Sequence, residues 1–98
     1  MGKLVRDRIP EIMRLQGKDP EVERISGERL RRALKDKLVE EAEEVRQTDD
    51  LVEELADVLE VVDALIDAYG LDHGEIEHVR ADKKAKRGGF SSGEYLVG

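Results

Sequence analysis

Two long stretches of the chain repeat apolar residues at helical spacing, and a short polar link separates them. Apolar residues three and four positions apart form one face of an α-helix, so residues 28–46 and 50–69 are predicted to be amphipathic helices. The link, Gln47-Thr48-Asp49, is long enough only for a tight connection. The pattern therefore predicts an antiparallel helical hairpin. Its apolar faces are Leu30, Leu34, Leu38, Ala42 and Val45 in the first helix, and Leu51, Leu55, Val58, Leu59, Val61, Val62, Leu65, Ile66 and Tyr69 in the second.

A shorter helix is predicted on each side of this hairpin. Pro10 suits the first turn of a helix that ends near Gly17. Asp72 followed by Glu75 has the spacing of a capping box, which predicts a last helix over residues 73–86. Together these elements predict an all-α fold of four helices.

The two ends of the chain carry a weak strand signal. Residues 95–97 have strand propensity and are predicted to pair with residues 3–6 in a short β pairing. No stretch reads as a linker between domains, and 98 residues suit one modest domain, so residues 1–98 are interpreted as a single domain.

Acidic residues stand where each amphipathic helix faces its apolar partner. Glu41 lies inside the apolar face of the first helix and Glu44 at its edge, while Glu54 and Asp57 repeat this arrangement in the second. A carboxylate carried into an apolar interior without a partner costs several kcal/mol or takes up a proton. Four convergent acids therefore predict a cation site. Mg²⁺ prefers oxygen ligands, as does Mn²⁺, and there is no cysteine to suggest zinc. The alternative is a solvated acidic helix face.

The net charge of −7 is unevenly distributed along the chain. Residues 40–77 carry fifteen acids against one arginine, whereas the segments before and after them are basic. An acidic centre between basic ends is suited to holding a metal ion and the phosphates bound to it. The acidic total argues against a general nucleic-acid binder. No apolar stretch has transmembrane length, so no membrane partner is expected.

The composition also bears on assembly and location. With one Phe, two Tyr and no Trp, the core must be aliphatic, and a homodimer or larger homo-oligomer is expected to complete it. The absence of cysteine and of an apolar leader segment predicts a cytoplasmic protein. The absence of Asn, with only two Gln, is typical of thermophile proteins.

Four segments together resemble a known family: KLVRDRIPEI, KLVEEAEEV, EELADVLEVVDAL and KRGGF. The chain is similar to the MazG-related all-α nucleoside triphosphate pyrophosphohydrolases, above all to small single-domain members of the phosphoribosyl-ATP-pyrophosphohydrolase-like, house-cleaning type. The resemblance implies hydrolysis of a nucleoside triphosphate to the monophosphate and pyrophosphate. It leaves phosphoribosyl-ATP of histidine synthesis open as the substrate.

The family pattern E-E-x-x-E followed by E-x-x-D is matched by Glu40, Glu41, Glu44, Glu54 and Asp57. The resemblance implies that the last four bind Mg²⁺. A carboxylate beside the metal can take the proton of the attacking water, and the candidates are Glu40 and one of the ligands, Glu41 first. The nine-residue spacer between the two pairs of acids is shorter than in many members of the family. Which nucleobase of the substrate is preferred is therefore left open.

Basic residues and one aromatic residue are the candidate substrate contacts. Lys37 lies one turn before Glu41, where it either pairs with that acid or contacts a phosphate. The further candidates are Arg6, Arg8, Lys83, Lys86 and Arg87 for phosphate, and Phe90 for stacking on a base. For each, a solvated charge or a packed Phe is the alternative. A noncatalytic helical dimer, with its acids paired to basic residues, is the second class of function.

Overall fold

The computed structural model describes residues 2–98. These residues form four α-helices and no strand, which confirms the all-α prediction. None of these helices is both long enough and apolar enough to cross a membrane. In chain order the helices are α1 (Ile9–Leu15), α2 (Gly27–Gln47), α3 (Leu51–Ala68) and α4 (His73–Arg87).

The β pairing predicted between residues 3–6 and residues 95–97 is wrong. Neither segment is a strand, and Tyr95, Leu96 and Val97 are 87–92% exposed. A pairing of three residues has no apolar face to bury, and isolated two-stranded pairs are marginal in water. Strand propensity alone therefore did not order this tail.

Helix α1 begins as the sequence predicts, with Pro10 in its first turn. It ends at Leu15, and Gly17 follows with φ +83°, a left-handed conformation that favours glycine. None of its residues is buried.

The link between α2 and α3 is held by hydrogen bonds of its own residues. The backbone N–H of Thr48 donates to the carbonyl of Glu44, and the N–H of Asp50 donates to Oγ1 of Thr48 at 3.0 Å. The Asp50 carboxylate accepts from the N–H of Glu53 at 3.2 Å, which is the predicted N-cap of α3. These bonds fix where α3 starts and therefore which of its residues face α2.

Helix α4 is capped differently from the prediction. The Asp72 carboxylate accepts from the N–H of Gly74 at 2.9 Å, not from that of Glu75. The observed bond, like the predicted one, satisfies a free N–H of the first turn. Asp72 therefore still caps the helix, but the capping box does not form. The helix ends at Arg87, before Gly88 with φ +80°.

The packing of the fold lies between α2 and α3. Its buried apolar residues are Leu34, Val61 and Ile66. Towards the end of α3, the ring of Tyr69 lies 5.7 Å from the guanidinium of Arg31 on α2. Helices α1 and α4 contribute no buried residue. A functional site next to this hydrophobic core is therefore positioned by α2 and α3.

Part of the predicted apolar face of α3 is not in this core. Leu51, Leu55 and Leu59 are 50%, 45% and 64% exposed. The apolar residues of α3 occupy about half of its circumference. Leu51, Leu55 and Leu59 lie about 80–160° around the helix from Val61, on the side that α2 does not cover in this part of α3. Ile66 lies on the same side as Leu55 and Leu59 but is buried near the end of the helix.

Candidate functional site

Three carboxylates meet where α2 packs on α3. One oxygen atom from each of Glu41, Glu44 and Glu54 lies within 4.8 Å of the other two. Glu41 and Glu54 are buried, with 6% and 8% of their surface exposed, whereas Glu44 lies at the open edge. The helical period places these residues at the interface, since Glu41 and Glu44 are one turn apart on α2.

Two oxygens of this carboxylate cluster have no hydrogen-bond partner. Glu41 Oε2 and Glu54 Oε1 are screened from solvent and accept no bond from the protein. A buried acceptor without a donor is costly, and two adjacent carboxylates also repel each other. A proton or a cation between them relieves both costs. The donor set consists of carboxylate oxygens, so the residues present fit a hard divalent cation such as Mg²⁺ or Mn²⁺.

Glu54 is the carboxyl group of the cluster whose pKa is raised by its surroundings. When it is protonated, Glu54 can donate a hydrogen bond to the Glu41 carboxylate, which favours this form; burial and the charges of Glu41, Glu44 and Asp57 act in the same direction. Together they raise the pKa of Glu54 to about 7 from the usual 4.5. Near neutral pH this carboxyl group therefore exchanges readily between its protonated and ionised forms.

The raised pKa of Glu54 predicts a pH dependence of stability. The folded protein binds this proton more tightly than the unfolded chain, so the stabilisation is complete below about pH 4.5 and is lost as pH rises through about 7. With chelator present, we expect the wild type to lose melting temperature relative to Glu54→Gln between about pH 5 and pH 8. Thermal unfolding followed by circular dichroism across this range measures the difference.

The matched control for this prediction is Glu60→Gln, an exposed acid on the same helix. Its melting temperature should change with pH in parallel with the wild type. Parallel curves for Glu54→Gln and the wild type would show that Glu54 does not carry the titration.

Lys37 lies against the cluster on the α2 side. Its Nζ is 3.4 Å from Glu41 and 3.3 Å from Glu40, and 18% of the side chain is exposed. Burial disfavours its charged form, but the hydrogen bonds and charges of Glu40 and Glu41 outweigh this effect and raise the pKa of Lys37. Lys37 thus pairs with the acids, as the first of its two predicted roles requires. A phosphate contact stays a prediction.

Asp57 is near the cluster but is bound to another partner. Its Oδ1 accepts a hydrogen bond from Nη2 of Arg6 at 2.6 Å, and it is not one of the three oxygen donors that converge. Asp57 follows Glu54 by three residues on α3, so this ion pair holds the N-terminal segment beside the cluster. Its role as a fourth metal ligand stays a prediction.

The N-terminal segment makes a second contact that sequence reasoning missed. Lys3 Nζ lies 4.0 Å from Glu40, and a cavity of about 260 Å³ opens between this segment and α2. The lining residues are Gly2, Lys3, Leu4, Ala33, Asp36, Lys37 and Glu40. Asp36 and Glu40 are one helical turn apart, and that spacing was the available signal for a shared surface.

The other predicted substrate contacts lie away from these carboxylates. Arg8 pairs with Glu11 at 3.2 Å, and Lys86 with Asp82 at 3.0 Å. Lys83 and Arg87 are exposed on α4, and Phe90 is 100% exposed. Within residues 2–98, no ion pair joins α4 to the cluster. The sequence-predicted residues that the structure brings together are Glu40, Glu41, Glu44, Glu54, Asp57, Lys37 and Arg6.

Comparison with known proteins gives a partial match. No protein-family model matches the chain, and no solved structure matches it. A curated protein of Mycolicibacterium smegmatis, described as an uncharacterized protein, is 45% identical over 49 residues, which is 50% of each chain. The chain thus spans about half the length of the curated relative it matches.

Proposed function

We propose that the chain is a Mg²⁺-dependent nucleoside triphosphate pyrophosphohydrolase, with its site at the carboxylate cluster of Glu41, Glu44 and Glu54. The observation that carries the proposal is the pair of buried oxygens without partners, Glu41 Oε2 and Glu54 Oε1, at the point where three carboxylates converge. The sequence resemblance supports the same residues, because its acid pattern falls on them.

The arrangement of α2 and α3 supports this site as part of an antiparallel hairpin. Glu44 and Glu54 are close together next to the link, while Tyr69 lies near Arg31 and Lys35, which are further from the link. Contacts of this order are those of two helices that run in opposite directions. Such a hairpin presents acids from two rigid elements to one point, which metal sites in helical proteins require.

The roles of the chain's residues follow from their positions. Glu41, Glu44 and Glu54 would hold the cation, which when bound would neutralise charge on the phosphate oxygens and lower the pKa of a bound water. Lys37 and Arg6 place two positive charges at the margin of the cluster, where they orient the triphosphate. Glu40 and Glu41 are the two proposed acceptors of the proton of the attacking water, and they remain alternatives for this role.

The cavity beside Lys37 is the proposed location of the nucleoside part of the substrate. It shares Lys37 and Glu40 with the cluster margin, so a nucleotide with its phosphates at the cluster extends into it. Asp36 and Glu40 offer acceptors for sugar hydroxyl or base amino groups. These groups suit both a modified nucleoside triphosphate, the house-cleaning substrate, and phosphoribosyl-ATP. We place the activity in the cytoplasm, where these substrates occur.

The test is pyrophosphate release from a panel of standard and modified nucleoside triphosphates and phosphoribosyl-ATP. Each substrate is assayed with Mg²⁺, with Mn²⁺ and with EDTA. We expect release from at least one substrate, dependent on metal and abolished by EDTA. No release from any substrate by protein shown to be folded would refute the proposal.

A noncatalytic helical module is the second candidate, since Lys37, Arg6 and Lys3 each pair with an acid of the site. Metal dependence of unfolding separates the two. If the folded state binds the cation selectively, the melting temperature should rise with Mg²⁺ concentration by mass action. At a Mg²⁺ concentration of a hundred times Kd, the free energy of unfolding should increase by about 2.7 kcal/mol. Glu54→Gln should lose this rise and Glu60→Gln should keep it. If neither Mg²⁺ nor Mn²⁺ changes the melting temperature of the wild type, the noncatalytic module is favoured.

A further inference from the structure

The first described residues of the chain are held on the candidate site by their side chains. Residues 2–6 belong to no helix, and we call them the N-terminal strap. Arg6 of the strap donates a hydrogen bond to Asp57 on α3 at 2.6 Å. Lys3 of the strap lies 4.0 Å from Glu40 on α2. The strap therefore joins both helices of the site through ion pairs.

The backbone of the strap adds little to this attachment. Among the residues that the structure describes, it makes one backbone–backbone hydrogen bond, within the turn that leads into α1. There the carbonyl of Arg6 accepts from the N–H of Ile9 at 3.0 Å. Leu4 is half-buried, whereas the other residues of the strap are exposed. A segment anchored mainly by exposed ion pairs can detach while α2 and α3 stay folded.

Asp57 lies next to the carboxylate cluster but is paired with the strap. It follows Glu54 by three residues, which places both on one face of α3. Its charge contributes to the raised pKa of Glu54, so the two carboxyl groups are close together. The oxygens that converge nevertheless belong to the three glutamates of the cluster, while Oδ1 of Asp57 accepts the bond from Arg6. The guanidinium of Arg6 therefore neutralises the acid that is placed to become the fourth ligand of a cation.

A divalent cation at the cluster would change the balance of charge around Asp57. Its two positive charges would lie near the guanidinium of Arg6, and like charges repel more strongly where solvent is partly excluded. The cation would also offer Asp57 another partner, because Mg²⁺ and Mn²⁺ bind carboxylate oxygens. Both effects weaken the ion pair that holds the strap to α3.

We propose that the N-terminal strap is a latch that a divalent cation releases, because Arg6 and the cation compete for Asp57. The proposal rests on the proposed function only in that the carboxylate cluster binds the cation, and it requires no hydrolysis of a nucleotide. Release frees the guanidinium of Arg6 to meet an incoming anion, such as the triphosphate of the proposed substrate. It also moves one wall of the cavity of about 260 Å³, since Lys3 and Leu4 line it.

The opposite role for Arg6 is to orient Asp57 as a ligand of the cation. Carboxylates that bind metals are often hydrogen-bonded by outer partners, and loss of such a partner weakens metal binding. Competition predicts the reverse sign, since removal of Arg6 leaves Asp57 free to join the cluster. The position of Asp57 outside the three converging oxygens favours competition.

The first test compares Mn²⁺ binding by the wild type, Arg6→Gln and Arg8→Gln, measured from the electron paramagnetic resonance signal of the free ion. Arg8→Gln is the matched control, because it makes the same change of charge and Arg8 pairs with Glu11 at 3.2 Å, away from the cluster. We expect Arg6→Gln to bind Mn²⁺ at least about fivefold more tightly than the wild type, and Arg8→Gln to stay within about twofold of it.

Three results of this test would overturn the proposal. The first is equal or weaker binding by Arg6→Gln whose helices are shown by circular dichroism to be folded. The second is an equal gain of affinity in Arg8→Gln, which would make the effect one of overall charge. The third is the absence of Mn²⁺ binding by both the wild type and Arg6→Gln.

A second test follows the strap itself. The chain contains no cysteine, so spin labels can be attached to Val5→Cys on the strap and to Glu43→Cys at an exposed position of α2. We expect Mg²⁺ to lengthen and broaden the distribution of distances between the labels, measured by pulsed electron paramagnetic resonance. With Arg6→Gln added, the long distances should be present without Mg²⁺. With Arg8→Gln added, the distances should be those of the labelled wild type.

The results of the second test separate the latch from the proposed function. An unchanged distribution of distances at a Mg²⁺ concentration that saturates the site would overturn the latch and leave the metal site in place. Release of the strap by Mg²⁺, without pyrophosphate release from any substrate of the panel, would support the latch and refute the pyrophosphohydrolase.

Discussion

Replacing Glu41 with glutamine is expected to lower metal-dependent pyrophosphate release by at least ~10²-fold. Glu41 is the buried member of the carboxylate cluster on α2, and its Oε2 has no other partner in the protein. Glutamine keeps the size of the side chain but removes the charge that a divalent cation requires. Steady-state kinetics at saturating Mg²⁺, on the substrate identified by the panel, measures the loss.

This substitution should not unfold the protein. It removes repulsion between Glu41 and Glu54, and Lys37 keeps its contact with Glu40 at 3.3 Å. The melting temperature is therefore expected to stay the same or to rise. The matched control is Glu43→Gln, an exposed acid on the same helix with the same change of charge, which should retain activity. A folded Glu41→Gln enzyme with full activity would remove Glu41 from the site.

Replacing Leu34 with alanine is expected to cost about 3 kcal/mol of unfolding free energy. Leu34 is 5% exposed and is the buried apolar residue that α2 contributes to its contact with α3. In a chain of this length such a loss lowers the melting temperature by roughly 15 °C. Chemical denaturation and thermal unfolding, each at one fixed protein concentration, measure the loss.

Leu15→Ala is the control for Leu34→Ala, since Leu15 is 80% exposed on α1. It should change stability by no more than about 0.5 kcal/mol. Equal losses for the two variants would mean that the contact of α2 with α3 is not the main hydrophobic core. A small loss for Leu34→Ala alone would mean that the neighbouring side chains close the cavity.

The sequence predicted the four helices well because their signals are local. The N-cap of α3 at Asp50 depends on residues no more than three positions away, and the structure has that bond. The Asp72 cap was predicted on the correct residue but with the wrong N–H, since Gly74 and Glu75 both present free donors. The strand predicted at residues 95–97 was wrong, because strand propensity does not form a strand unless a partner strand or an apolar surface is available.

Part of the candidate site was also predictable from local signals along the chain. The helical period places Glu41 and Glu54 inside apolar faces, and both are buried between α2 and α3. The partners of these acids were less accessible to sequence reasoning. Arg6 and Asp57 are 51 residues apart, and no periodicity within one helix relates them. Lys3 was missed although it stands in the same opening segment as Arg6.

The sequence by itself determined the helices, the ends at which they are capped and the faces on which their acids lie, because hydrogen bonding and side-chain direction within a helix are set by near neighbours. The tertiary structure alone decided which apolar residues of α3 are buried, such as Val61 and Ile66, and which stay exposed, such as Leu55 and Leu59. It also decided that Arg6 reaches Asp57 and that Lys3 reaches Glu40. These outcomes depend on how whole segments pack, and packing free energy is a property of surfaces that meet in space, not of residues adjacent in the chain.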